Sequence, residues 1–277
     1  MSKPKTAAGY TATQLQTVRA TCLSLTSILG DLLDDLVVVG GLVPSLLINT
    51  KPARDDPHVG SLDVDLGLEV AMLDTGRYHT LAERLRGCDF EPDKNEEGNL
   101  TRQRWTHKKF KNVKVDFLMA PVGAGAVPGT LQDLEADLAA VVTPGLPLAF
   151  RDRERVRMAG HTLEGEAIAR DVPVCGIGAF VVLKALAFRN RGENKDAYDL
   201  CYLLSHFGDS VEDVGTRLRP LLDDANAREA VRVLGEDFAT LDSHGPRRAA
   251  EFLSRAGDDA FCRDVAGLVG RLLRSLR

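Results

Sequence analysis

The stretch Gly60-Ser-Leu-Asp-Val-Asp-Leu-Gly-Leu68 sets two aspartates, Asp63 and Asp65, at i and i+2 inside an apolar, strand-like run. Side chains repeat with period two along a strand, so both carboxylates project from one face. Two like charges side by side at the end of a buried strand are costly unless a cation sits between them. A divalent metal is the usual compensator, and hard carboxylate oxygens favour Mg²⁺. An alternating surface strand with solvated aspartates fits the same pattern. The flanking sequence has to separate the two.

Upstream, Leu15, Val18, Cys22, Leu25, Ile28, Leu32 and Leu33 recur at helical spacing between Thr13 and Leu36, which predicts an amphipathic helix ending near Asp31–Asp35. Leu36–Val39 reads as a short buried strand running into Gly40-Gly41, and Leu42–Leu47 as a helix with Pro44 tolerated in its first turn. A strand, a glycine pair and a helix start let backbone N–H groups and the positive helix end approach a phosphate. A bare glycine pair is equally a tight turn. Residues 50–60 are polar, carry Pro52 and Pro57, and are expected to form a mobile loop leading into the Asp63 strand.

Downstream, the spacing predicts a helix over Leu73–Leu85, a solvated acidic loop over Glu91–Glu97, and strands over Thr101–His107 and Val113–Leu118. Asp116 falls in the second of these strands, flanked by Val115 and Phe117. The window 102–114 holds Arg102, Arg104, Lys108, Lys109, Lys111 and Lys114, with no acid between Gly98 and Val115. It reads as a local positive surface, either simply solvated or facing RNA or a triphosphate. Residues 120–150 are rich in Gly, Pro and Ala, with a helix expected over Leu131–Leu138; short strands follow at Val156–Leu163 and Val172–Val174. From Gly178 the pattern is nearly all helical: Ala179–Arg191, then Lys195–His206 capped by Asn194, then several more from Val211. Asp196 and Asp199, at i and i+3, share a helix face, where either surface ion pairing with Lys195 or a functional site accounts for them. The chain thus reads as α+β, with a core at 1–175 and a helical region at 176–277.

Composition narrows the classes further. The 277 residues are 44% hydrophobic and 27% charged, enough for a globular core of one or two domains. A formal net charge of −5 confines any nucleic-acid contact to a local patch. Five scattered cysteines without a CxxC argue against a zinc site and for a reducing, cytoplasmic compartment. No apolar run approaches the roughly 18 residues of a membrane span, so no membrane partner is expected, and the N-terminus shows no signal-peptide pattern.

Taken in order, the apolar strand, Gly40-Gly41, a helix, Asp63-x-Asp65 and the later Asp116 resemble the signature of the DNA polymerase β-type nucleotidyltransferase superfamily. The gap of 21 residues between Gly41 and Asp63 is longer than is common there, and the polar 50–60 segment absorbs the excess. Lys184-Ala-Leu-Ala-Phe-Arg189 followed by Lys195-Asp-Ala-Tyr-Asp-Leu200 is similar to the K-x(4)-R and K/R-D-x-[YF]-D-L block of the AbiEii/MenT toxin family, nucleotidyltransferase-like toxins of type IV toxin–antitoxin systems. Members usually carry R-x-T/S-x-D-h-D at the metal strand; here Ser61 matches the hydroxyl, but Val59 stands where the arginine would be, leaving Arg54 or His58 to replace it.

The resemblance implies a mixed β-sheet core flanked by helices, with two Mg²⁺ ions bridged by Asp63 and Asp65 and completed by Asp116. It implies Gly40, Gly41, Ser61, Lys184, Arg189 and Asp196 on an NTP substrate, and Asp199 beside Lys184 in the catalytic set. The implied activity is transfer of NMP from NTP to the 3′ end of tRNA, blocking translation under control of a cognate antitoxin protein. A protein acceptor, including self-modification at Ser61, is the alternative. A small-molecule nucleotidyltransferase and a non-catalytic nucleotide-binding module are further alternatives.

Overall fold

The structure, a computed structural model, describes residues 4–69, 75–123 and 125–277. In chain order the elements are α1 (Ala12–Leu29), β1 (Leu36–Val39), α2 (Val43–Leu47), α3 (Lys51–Asp55), β2 (Asp63–Leu68), α4 (Thr75–Gly87), β3 (Phe90–Lys94), β4 (Leu100–His107), β5 (Lys114–Met119), β6 (Leu131–Asp133), β7 (Ala139–Val142), α5 (Leu146–Arg151), β8 (Arg153–His161) and β9 (Ala167–Cys175), followed by α6 (Ile177–Arg191), α7 (Asn194–His206), α8 (Val211–Leu218), α9 (Ala225–Asp237), α10 (His244–Phe252) and α11 (Asp259–Ser275). The architecture is α+β with a mixed open sheet. Two compact units divide it: Ala12–Leu42 with Ser61–Cys175, and Val43–Gly60 with Gly176–Arg277 and the N-terminal residues to Thr11. The chain therefore changes unit at Gly176, and segment 43–60 groups with the helices rather than with the 1–175 span.

In the first unit the strands run β3-β4-β5-β2-β1-β9-β8, with β7 also on β5 and β6 on β7. β1 forms where four consecutive apolar residues are buried, as a strand covered on both faces requires. It pairs antiparallel with β2 and parallel with β9, while β2 and β5 are parallel. The buried Val18, Cys22, Leu25 and Leu29 of α1 form one apolar stripe, and this helix packs on β8, β9 and β2.

Several expectations are corrected here. Helix α1 ends at Leu29, because Gly30 turns with φ +53° into a 3₁₀ stretch over Gly30–Asp35. Residues 73 and 74 of the expected Leu73–Leu85 helix lie outside the described residues; from Thr75 the helix runs on to Gly87. The acidic loop expected at Glu91–Glu97 contains strand β3, anchored by the buried Phe90, with Glu91 and Asp93 facing Lys111 and Lys114. The helix expected over Leu131–Leu138 is instead edge strand β6 with a turn, paired as Leu131↔Val141 to Asp133↔Ala139; three leucines and an alanine in eight residues did not distinguish the two periods. The two short strands near 156 and 172 are the nine-residue strands of one hairpin, β8–β9, in which Arg153↔Cys175 to His161↔Ala167 are in register.

In the second unit, residues 50–60 are not loop throughout. They contain α3 and a buried His58, and α7 holds them at four points. Thr50 Oγ1 donates to His206 O (2.8 Å), Tyr202 Oη to Asp56 O (2.9 Å), Val59 N–H to Tyr198 Oη (3.2 Å), and His58 meets Asp199. Glu193, not Asn194, is the N-cap of α7, after Gly192 closes α6 at φ +64°. Among the described residues no helix is long and apolar enough to cross a membrane.

Candidate functional site

The register of β2 and β5 builds the first ionic centre. Parallel pairing sets Asp65 opposite Asp116, and the period-two pleat keeps Asp63 on the same face as Asp65. One carboxylate oxygen from each of Asp63, Asp65 and Asp116 lies within 4.8 Å of the others. Asp63 is buried and accepts a hydrogen bond from Ser61 Oγ (2.9 Å), itself buried. Three hard oxygen donors converging from a rigid sheet fit a divalent cation of the Mg²⁺ or Mn²⁺ class.

Gly40 closes this centre from the turn after β1. It adopts φ +73°, and a Cβ there would stand 1.8 Å from Asp65 Oδ2. The first glycine of the pair thus lets backbone approach a carboxylate. Gly41 is buried in the 3₁₀ turn Gly40–Leu42. The α2 helix behind it has only five residues, so the expected phosphate-facing helix dipole has little length to act through.

Arg104 is the member that sequence reasoning placed elsewhere, in the basic surface. Antiparallel pairing of β4 with β5 sets it opposite Asp116. Its Nε donates to Asp116 Oδ1 (2.6 Å) and its Nη2 to Asp116 Oδ2 (2.5 Å), while Nη2 is also 3.5 Å from Asp63 Oδ2. The Asp116 hydrogen bonds raise its pKa further; burial opposes this, and the charges of Asp116, Asp63 and Asp65 reinforce it. The centre therefore combines three carboxylates and one permanent cation.

The second unit holds another buried ionic cluster. Lys184 Nζ lies 2.8 Å from Asp196 Oδ1 and 2.7 Å from Asp199 Oδ2. Arg191 forks onto Asp196 (2.7 and 2.9 Å), and Lys195 pairs with Asp199 one helical turn on. Burial works against the charge on Lys184, but Asp196 and Asp199 outweigh it and raise its pKa. Burial likewise opposes the ionised Asp199, yet Lys184, Lys195 and His58 hold its pKa well below the usual range. Lys195 is pushed down, by burial first and also by Lys184. His58 Nε2 sits 2.8 Å from Asp199 Oδ1, and its Nδ1 accepts the Gly60 N–H at 3.0 Å. These contacts fix the Nε2–H tautomer of the neutral ring. Burial, with Lys195 adding, lowers its pKa to about 4. The Lys-Asp-Ala-Tyr-Asp block thus joins a salt-bridge cluster to the wall that grips segment 50–60.

Arg189 goes elsewhere. It pairs with Glu236 and Asp237 on a partly exposed surface, at 2.8 Å to each, apart from the Lys184 group. The expected positive strip at 102–114 is also largely matched by acids: Arg102 with Asp133, Lys108 and Lys109 with Asp89, Lys111 with Glu91, and Lys114 with Asp93. These acids come from β6, β3 and the turn before β3, so a window free of acids in sequence acquires them across the sheet edge. Arg54, offered as a stand-in for the absent arginine, donates to Asn49 O. No protein-family model matches this chain, and no curated protein matches it.

Proposed function

We propose that the chain is a Mg²⁺-dependent nucleotidyltransferase of the toxin type, moving NMP from an NTP to the 3′ end of tRNA and restrained by a cognate antitoxin. The observation that carries this reading is the convergence of Asp63, Asp65 and Asp116 against Gly40. The order of these parts along the chain supports it, as does their resemblance to the nucleotidyltransferase signature. Asp63, Asp65 and Asp116 would hold two Mg²⁺ ions, which supply activation of the attacking hydroxyl and neutralisation of the leaving pyrophosphate. In the reaction the acceptor oxygen bonds to the α-phosphorus, the bond to the β-phosphate bridge oxygen breaks, and pyrophosphate leaves. The hydroxyl proton passes to a carboxylate of the site. Ser61 orients the Asp63 carboxylate by its hydrogen bond. By the resemblance, Lys184 would supply a cation to the triphosphate. Lys108, Lys109 and Lys111 remain largely exposed despite their acidic partners and supply contacts for an RNA backbone.

Incubation with tRNA, Mg²⁺ and each labelled NTP tests the reading. Labelled tRNA that disappears with Asp63→Asn is the expected result, and no labelling with any NTP overturns it. The contact between Ser61 Oγ and Asp63 favours a second acceptor, Ser61 itself, since its hydroxyl already faces a proton-accepting carboxylate. An intact mass raised by one nucleotidyl or phosphoryl group, and restored in Ser61→Ala, supports that alternative. An unmodified mass after incubation with NTP and Mg²⁺ excludes it.

A further inference from the structure

Arg104, Asp116 and Asp65 form one rung across three neighbouring strands, β4, β5 and β2. The guanidinium uses both oxygens of Asp116. A divalent ion drawing an oxygen from each aspartate would stand within a few ångströms of this permanent charge, where like-charge repulsion is strong. With both oxygens of Asp116 engaged by the fork, an ion that needs Asp116 must displace the guanidinium.

Resting on the metal-site reading above, we infer that Arg104 is a displaceable counterion on Asp116: it limits the resting centre to one divalent ion and yields Asp116 to a second only when a polyanionic nucleotide arrives. A second divalent ion beside Arg104 meets like-charge repulsion, and a bound triphosphate offsets it. The released guanidinium has the planar fork that matches a phosphate's oxygens, so the group surrendering Asp116 is suited to take the incoming phosphate. Arg104 thereby supplies in this chain a cation beside the aspartates that Val59 cannot supply at its own position. No bond is made or broken in this exchange; one ion pair replaces another.

Equilibrium titration of the full chain with Mn²⁺ alone, read by loss of the free-ion paramagnetic signal, tests the inference without any turnover. The wild type is expected to bind one ion. Arg104→Gln is expected to bind a second, with the first held about tenfold tighter, the order expected on removing a charge-assisted competitor. Arg104→Lys, which keeps the charge but loses the fork, is expected to fall between the two and decides the matter if Arg104→Gln does not fold. The gain must also depend on Asp116: Arg104→Gln in an Asp116→Asn background should add nothing. A second readout is the binding of a non-hydrolysable NTP analogue with Mn²⁺, expected to weaken about tenfold in Arg104→Gln, the scale of one lost charge-assisted pair. Mn²⁺ binding that is unchanged or weaker in both Arg104 variants, with the wild type still binding, overturns the inference and leaves the metal site standing. No Mn²⁺ binding by any of the proteins overturns the metal site and the inference together.

Discussion

Gly40 shows how narrowly a single residue bounds the three-aspartate centre. Its φ of +73° is in the left-handed region, and the space a Cβ would occupy is already held by the Asp65 carboxylate. Gly40→Ala should therefore lose at least about 1–2 kcal/mol from backbone strain alone, measured by urea denaturation. Its affinity for Mn²⁺ should fall as Asp65 is pushed aside. At His58 the expected effect is one of pH. In the unfolded chain this ring takes up a proton near 6.5, and in the folded protein only near about 4. Between those values the unfolded state binds more protons, so stability is present at neutral pH and falls as pH drops, by about 3 kcal/mol at the low end. Urea midpoints at pH 7 and pH 5 check this, and His58→Gln should flatten the slope in that window. Lys184 carries a warning for mutagenesis. Lys184→Ala leaves Asp196 and Asp199 buried with fewer cations, which should cost about 3–5 kcal/mol. Inactivity of that variant therefore needs a melting curve beside it.

Helix α7 holds down segment 50–60 through Tyr198, Asp199, Tyr202 and the His206 carbonyl, at i, i+1, i+4 and i+8. That spacing is one helix face, which explains why the Lys-Asp-Ala-Tyr-Asp block has its aromatic and acidic residues where it does. The two phenol hydroxyls hold peptide groups of the segment, and their loss should loosen it without emptying the core. Trypsin should cut after Arg54 several-fold faster in a Tyr198→Phe/Tyr202→Phe double variant than in the wild type, and an unchanged rate would show that the hydroxyls do not restrain the segment. The strip at β4–β5 is a different kind of element. Its cations face acids across exposed gaps, where each pair contributes on the order of 0–1 kcal/mol, so they are available to other partners.

At the scale of the whole molecule, expression of the wild type should arrest growth, and Asp63→Asn should relieve the arrest while leaving the melting temperature within a few degrees; undiminished arrest with Asp63→Asn would separate toxicity from the metal centre. Much of what leads to that test was legible in the residues. Four apolar residues ending at Gly40 specify β1, alternation specifies β2 with its two aspartates on one face, and long apolar periodicity specifies α6 and α7. These features are local, set by side-chain period and by which residues must avoid water. What the sequence could not decide was partnership between strands and between distant segments. Arg104 reads as one cation among six until antiparallel register sets it against Asp116, twelve residues on. The acids that pair with the basic strip lie on β3 and β6 and in the turn before β3, and the polar 50–60 segment is hydrogen-bonded by α7, some 140 residues later. Period fixes where a side chain points along its own element; only tertiary pairing decides which charge it meets, and charge partnership is what separates a solvated aspartate from a metal ligand.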